Sequence, residues 1–367
     1  MRKTLTYLAV SFYSFFFFAC EQGEMEVPMQ TKLVKIPIAV EIATGDQSRL
    51  STKATEEELA GTCNVDKILL LVYSGATGLG DRRALTFHSQ QVVDCAKEGD
   101  RWVARGSING AANTNYSVFA LGYNSGETGF FQILPVPLQA GVTAYKDTRV
   151  ALTYTGGAST TRRGFHTPEF FAGNVLPKDG TSDVFTADGE TGLTGTLYRA
   201  VGKCVFTLTN IPANIKKIAW LTEKIADYNL LYRVGANGAV FSKYPMGVPE
   251  TSELRKYVSE VASVENTGNT EWEAALTSFF IPLNGSLFYI EATDTNGLAS
   301  TYLVKCADHY SDSIWIEIMG YGVTSYRFVI PPNYQISVSG SFDQLKNSGN
   351  VLIDLSEIGE YEGGLLS

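Results

Sequence analysis

The sequence predicts a mainly β chain arranged as two β-sandwiches in series. Short apolar or alternating runs recur along almost all of its 367 residues, each stopped by Gly, Pro, Asn, Asp or Ser. With 35 glycines and only 18% charged residues, the composition favours many strands and turns over long helices. Helical periodicity stands out in one place, where Leu254, Tyr257, Val258 and Val261 recur at i, i+3, i+4 and i+7 behind a Thr251 or Ser252 cap. The length suits two domains of ordinary size. The polar, glycine-rich stretch 178–195 sets the expected boundary, giving sandwiches over 31–190 and 191–367 behind a signal peptide (1–19) and an acidic tether (20–30).

The chain opens with Arg2 and Lys3 and an apolar run over 5–18 that ends at Ala19-Cys20. This is the shape of a secretory signal, and it is too short for a membrane span of about 20 apolar residues. Phe17-Phe18-Ala19-Cys20 resembles a bacterial lipobox, in which the cysteine is lipidated and becomes the mature N-terminus; Phe17 stands where Leu is usual. The competing reading is an ordinary signal peptide cleaved near Ala19, leaving Cys20 as a thiol. Residues 21–26 are acidic and read either as a signal for export onto the outer face of an outer membrane or as a solvated tether.

Residues 32–42 follow as a half-buried strand: Val34, Ile36, Ile38, Val40 and Ile42 share one side, and Leu33, Lys35, Pro37, Ala39 and Glu41 the other. Pro37 lacks an N–H and argues for an edge strand. The polar stretch 44–54 then carries Arg49 and Lys53, where a trypsin-like protease could cut and free that strand. Thr55 with Glu58 fits a capping box on a short helical turn.

Residues 67–73 read as a central buried strand, 101–104 as half of a hairpin turned at Lys97-Glu98-Gly99-Asp100, and 115–123 as a further strand. Further strand signals cover 130–136 and 150–154. One long alternating strand is expected over 197–208, with 215–221 as its antiparallel neighbour, and Asn284-Gly285 is the turn chemistry of a two-residue hairpin. Strand signals then fill 278–281, 287–293, 301–306, 326–330, 335–341 and 351–355.

Catalytic chemistry finds little footing. Formal net charge is −9, and removal of Arg2 and Lys3 leaves 27 basic against 38 acidic side chains, or −11, which argues against nucleic acid as a partner. No nucleophile elbow, phosphate loop or dinucleotide fingerprint is present. His166 and Glu169 lie at i, i+3, but Pro168 between them prevents a regular helix from presenting both, so no metal or cofactor is expected. With Cys20 set aside, Cys63, Cys95, Cys204 and Cys306 allow three disulfide connectivities. Cys204 falls with Phe206 and Leu208 on an apolar face and reads as a buried, inert thiol. Trp102, Trp220, Trp272 and Trp315 are candidates for a glycan platform or for packing.

Taken in order, a lipobox, an early strand, a loop with basic residues and a buried strand resemble the fimbrillin family of type V pilus subunits and their anchor relatives. The likeness continues through 115–124, through Glu169-Phe170-Phe171-Ala172-Gly173, and through 197–205, with Arg199 followed by small and aliphatic residues. It ends at 328–338, where Pro331-Pro332 departs from the family pattern. The resemblance implies tandem transthyretin-like, Greek-key sandwiches on a cell-surface lipoprotein of the outer membrane. It also implies fimbrial subunits that join by exchanging a strand and adhere to host or bacterial surface ligands, without catalysis. On that reading residues 32–42 are the strand removed, the cut follows Arg49 or Lys53, and Val351, Ile353 and Leu355 belong to the donor strand. If no cut occurs, the lipid on Cys20 stays and the protein serves as an anchor. The alternative is a surface glycan-binding lipoprotein of a nutrient-uptake system.

Overall fold

Period-two alternation becomes strand along most of the chain in its computed structural model. The structure describes residues 33–42, 64–99 (apart from 77 and 79), 101–155, 163–190 (apart from 179 and 181), 192–222, 225–231, 247–249, 259–306 (apart from 282), 328–330 and 334–357. The protein is mainly β. In its first half run β1 (Leu33–Ile42), β2 (Lys67–Gly75), β3 (Thr86–Glu98), β4 (Arg101–Ala111), β5 (Asn115–Tyr123) and β6 (Phe131–Leu134). These are followed by β7 (Arg149–Leu152), β8 (Tyr154–Thr155), β9 (Arg163–Phe165), β10 (Phe171–Pro177), β11 (Phe185–Thr186) and β12 (Leu193–Arg199). The second half holds β13 (Gly202–Ile211), β14 (Ile215–Thr222), β15 (Ala226–Asn229), β16 (Gly247–Pro249), β17 (Ser259–Glu265), β18 (Trp272–Phe280) and β19 (Leu283–Ser286). It ends with β20 (Phe288–Asp294), β21 (Ala299–Leu303), β22 (Lys305–Cys306), β23 (Phe328–Ile330), β24 (Tyr334–Ser341), helix α1 (Phe342–Ser348) and β25 (Asn350–Glu357).

Seven strands of the first half close into a ring: β10, β12, β1, β4, β3, β2 and β5 follow one another, and β5 pairs back to β10. Every one of them sends apolar side chains inward, so Ile38 and Val40 of β1 meet a core shared with Leu70, Ala104, Val118, Phe171 and Leu197. β5 is buried along its whole length because its other face, with Phe119 and Leu121, joins a second core. That second core runs on into Phe206, Trp220, Phe280 and Phe288 of the second half, where the four rings meet in tilted and edge-on contacts with centroids 5.2 to 6.0 Å apart. Two sheets supply it, ordered β18-β13-β24-β25-β22 and β21-β20-β14-β17-β9-β8.

Several expectations meet a different arrangement. Pro37 predicts an edge strand, yet β1 lies between two partners over half its length: β4 runs antiparallel along all ten residues and β12 runs parallel beside Ile38 to Ile42. Pro37 is tolerated because the parallel ladder begins one residue after it. The strand expected over 197–208 is two: β12 closes the first ring, the chain breaks at Ala200-Val201, and β13 enters another sheet. β14 does not pair with β13 but with β17 and β20, the chain crossing between sheets through Asn210 at φ 56°. Asn284 and Gly285 lie inside β19, which pairs with β23, so they make no hairpin turn. Val261 of the expected helix sits in β17, while residues 251–258 lie outside the described residues.

Candidate strand-exchange site

β1 is a plug as much as a strand. Val34, Ile36, Ile38, Val40 and Ile42 are each at most 8% exposed, while Leu33 is 75% exposed. At about 1.5–3 kcal/mol per buried aliphatic side chain, those five contribute an upper estimate of roughly 7–15 kcal/mol to the first core. Backbone pairing adds to this on both flanks, from Leu33 opposite Ala111 to Ile42 opposite Trp102 on β4, and from Ile38 opposite Leu193 to Ile42 opposite Leu197 on β12. Withdrawal of β1 would therefore open a slot between two strands, lined by unpaired backbone groups on both sides. Gly189, at φ 80°, lets the chain pass close to the start of this strand, since a Cβ there would stand 3.1 Å from Val34.

The far end of β1 meets the chain where it resumes. Around Gly122 of β5, a Cβ would find Val65, Leu197 and Ile42 within 3.3–3.5 Å. Ile42 and Val65 flank the segment that carries Arg49 and Lys53. Close by, Arg199 of β12 donates to Glu169 at 2.7 Å, with both side chains at least nine-tenths buried, and its guanidinium lies 5.0 Å from the Phe171 ring centre. The Asn64 backbone N–H also donates to Glu169. Burial holds the Glu169 carboxyl above its ordinary range, outweighing the downward pull of Arg199. Two stretches on which the family resemblance rests, one centred on Glu169 and one on Arg199, thus meet in one buried ion pair that ties β12 to the residues just after the candidate cleavage segment.

The other predicted residues divide between placed and unplaced. Cys20, Arg49 and Lys53 lie outside the described residues, as do Cys63 and Trp315. Val351, Ile353 and Leu355 belong to β25, which pairs antiparallel with β24 (Ile353 opposite Val338, Leu355 opposite Ile336) and touches β22 only at Asn350 and Val351. From Leu352 to Glu357 that strand has one neighbour among the described residues. The β24–β25 connection is fixed by α1, whose Ser341 and Gln344 form a capping box and whose Gly349, at φ 73°, ends it.

Outside this region the expected chemistry disperses. His166 Nε2 sits 3.1 Å from Glu127 while Glu169 is committed to Arg199, so the pair does not converge on a common ligand. Cys204 is fully buried in the second core, as its apolar register implies, and Cys95 is buried in the first. Burial pushes the Cys95 thiol up to about 11. Trp220 is fully buried, Trp272 donates its indole N–H to the Ile215 carbonyl at 3.1 Å, and Trp102 packs on the first core, so none of these three stands out as a glycan platform. A polar cleft of about 420 Å³ is lined by Gly80, Asp81, Arg82, Arg83, Asp183 and Leu231. Arg82 is spent within it, donating to Asp183 at 2.6 Å and to the Leu231 carbonyl at 3.0 Å. No sequence signal marks that cluster, because its members are distant in the chain.

The sequence matches no family model and no curated protein. Among solved structures, a candidate adhesin from Bacteroides ovatus aligns over 89% of this chain and 94% of its own at 12% identity, with a TM-score of 0.44. A second candidate adhesin from the same species aligns over 88% and 93% at 13% identity and 0.43. The C-terminally truncated tip fimbrial protein Mfa3 from Porphyromonas gingivalis aligns over 89% and 99% at 12% identity and 0.34. Likeness at this level transfers no function to the chain.

Proposed function

We propose that this chain is a cell-surface fimbrial lipoprotein, structural and adhesive, that joins other subunits by strand exchange at the β1 slot. The observation that carries the reading is the construction of β1: a ten-residue strand that fills the first core with five side chains and is followed in sequence by Arg49 and Lys53. A protease cut there would convert a covalent plug into a removable one. The vacated slot has apolar sockets and unpaired backbone on both walls, which only another extended segment can satisfy. β25 is the candidate donor because Val351, Ile353 and Leu355 repeat the period-two spacing of β1 and the strand has, among the described residues, a single neighbour over most of its length. Its sequence supplies three sockets' worth of apolar side chains before Glu357, so a donated β25 would seat in part of the slot. Lipid on Cys20 would hold an uncut chain at the outer membrane as an anchor.

Mass spectrometry of the protein isolated from cells tests this directly. A polymerising subunit begins at Leu50, an anchor begins at lipidated Cys20, and Arg49→Ala holds the first in the second form. A mature chain that begins near Ala19 without lipid and never enters a larger assembly would rule the reading out.

A further inference from the structure

One edge of the first ring is left open in a way that proteins usually prevent. β3 pairs with β2 from Thr86 to Asp94 and with β4 only from Cys95 to Glu98, while β4 goes on along β1 through its other edge. The loop that follows β6 covers the beginning of the vacated edge: the Phe87 N–H donates to the Thr143 carbonyl at 2.7 Å, and the Gly141 N–H donates to the Phe87 carbonyl at 2.8 Å. Beyond it, from His88 to Asp94, β3 pairs with no strand on that side among the described residues, although Gly106 of β4 lies close against the Val93 side chain. Exposed edges are normally blunted by lysine, proline or a covering element. Here Ser89-Gln90-Gln91-Val92-Val93 holds no charge and no proline, and Val92 is 51% exposed. The covering loop carries Pro135 and Pro137 but is likewise uncharged from Leu134 to Val142, with Val136 and Val142 exposed at 65% and 68%.

We propose that this edge is a self-association surface, where two copies of the chain pair β3 against β3 to make one sheet that is continuous across both molecules. Three observations select a second copy as the occupant. An open edge demands an extended backbone, and an antiparallel pairing of identical edges closes as a two-fold dimer. Side-chain parity and charge fix the register. A two-fold axis at Gln91 keeps core-facing Val93 on the same face as Ser89 of the second copy, sets Val92 opposite Gln90, and sets Asp94 opposite His88, so no like charges meet. A parallel pairing would instead set Asp94 against Asp94. Finally, the chain carries a formal net charge of −9, which makes most face-to-face encounters between copies repulsive, whereas the centre of this strip, Ser89 to Val93, is uncharged.

Light scattering on the detergent-solubilised full chain tests the proposal, with Arg49→Ala and Lys53→Ala in every sample so that β1 stays in place and strand exchange cannot contribute. The expected result is a concentration-dependent dimer that Val92→Lys reduces to monomer while leaving the thermal transition unchanged. Gln91→Cys is expected to give a disulfide-linked dimer on mild oxidation. A parent chain that stays monomeric at every concentration reached, a dimer indifferent to Val92→Lys, or a Gln91→Cys chain that resists cross-linking would each overturn it. None of these results would affect the β1 reading, which concerns a different strand and needs the cut that these samples lack.

Discussion

Gly173 shows how a single missing side chain shapes the first ring. A Cβ on it would stand 2.6 Å from the Thr196 carbonyl oxygen, a backbone atom that cannot rotate away, and one on Gly195 would stand 3.2 Å from the Asn174 carbonyl. These two glycines let β10 and β12 cross where their pairing lapses, between Ala172 opposite Tyr198 and Leu176 opposite Thr194. Gly173→Ala is therefore expected to cost about 1–3 kcal/mol by overpacking, while Gly129→Ala, with open space around it, should stay within about 0.5 kcal/mol. Urea midpoints for the two variants check the contrast. At this scale the sequence is legible for type and mute for partner. Glu169 and Arg199 stand out in their motifs, but nothing in a stretch of chain says that residues thirty apart form one buried pair. Arg82, spread across Asp183 and Leu231, leaves no trace in the sequence at all.

At the level of elements, alternation is the readable signal and pairing is the hidden one. The five inward residues of β1 follow from period two alone, as does the buried run of β2, because burial on one or both faces leaves its mark on every residue. What alternation does not encode is the neighbour: β12 lies beside β1 although some 150 residues separate them, and β13 takes β18 and β24 rather than the adjacent β14. Asn284-Gly285 fails as a hairpin signal for the same reason, since tertiary pairing with β23 outweighs local turn preference. The balance within β1 can be measured. Ile38→Ala removes a 4%-exposed side chain from the ring and is expected to cost about 2–4 kcal/mol. Leu33→Ala, at the exposed end of the same strand, should change stability by less than about 0.5 kcal/mol. A shift of the urea midpoint for the first, with unchanged slope, and none for the second would locate the strand's contribution in its inward face.

For the whole molecule, the mainly β, sandwich-like build expected from the sequence is present, and its two halves are also stitched together. β7 of the first half pairs with β15 of the second, β9 pairs with β17, and the second core takes side chains from both. Composition and strand spacing reveal how much sheet there is, but they carry no information on such crossings, which join segments about 80 to 100 residues apart. This interlacing bears on the proposed exchange. A chain cut after Arg49 keeps everything from Lys67 onward anchored by the shared core, so the ring need not collapse when its plug becomes a separate peptide. The plug itself is held by a ten-residue ladder on one side, a five-residue ladder on the other and five buried side chains. That combined hold is large enough that β1 should not leave on its own. Limited digestion with trypsin is thus expected to give a nicked protein that carries its β1 fragment through native gel filtration and releases it only in denaturant or in exchange for a competing strand. A synthetic peptide spanning β25, added to the nicked protein at elevated temperature, should displace the fragment, and one with Ile353→Asp should not. Loss of the fragment in native buffer immediately after cutting would mean that the slot cannot hold a strand without a covalent tether, and subunits could not then be joined through it.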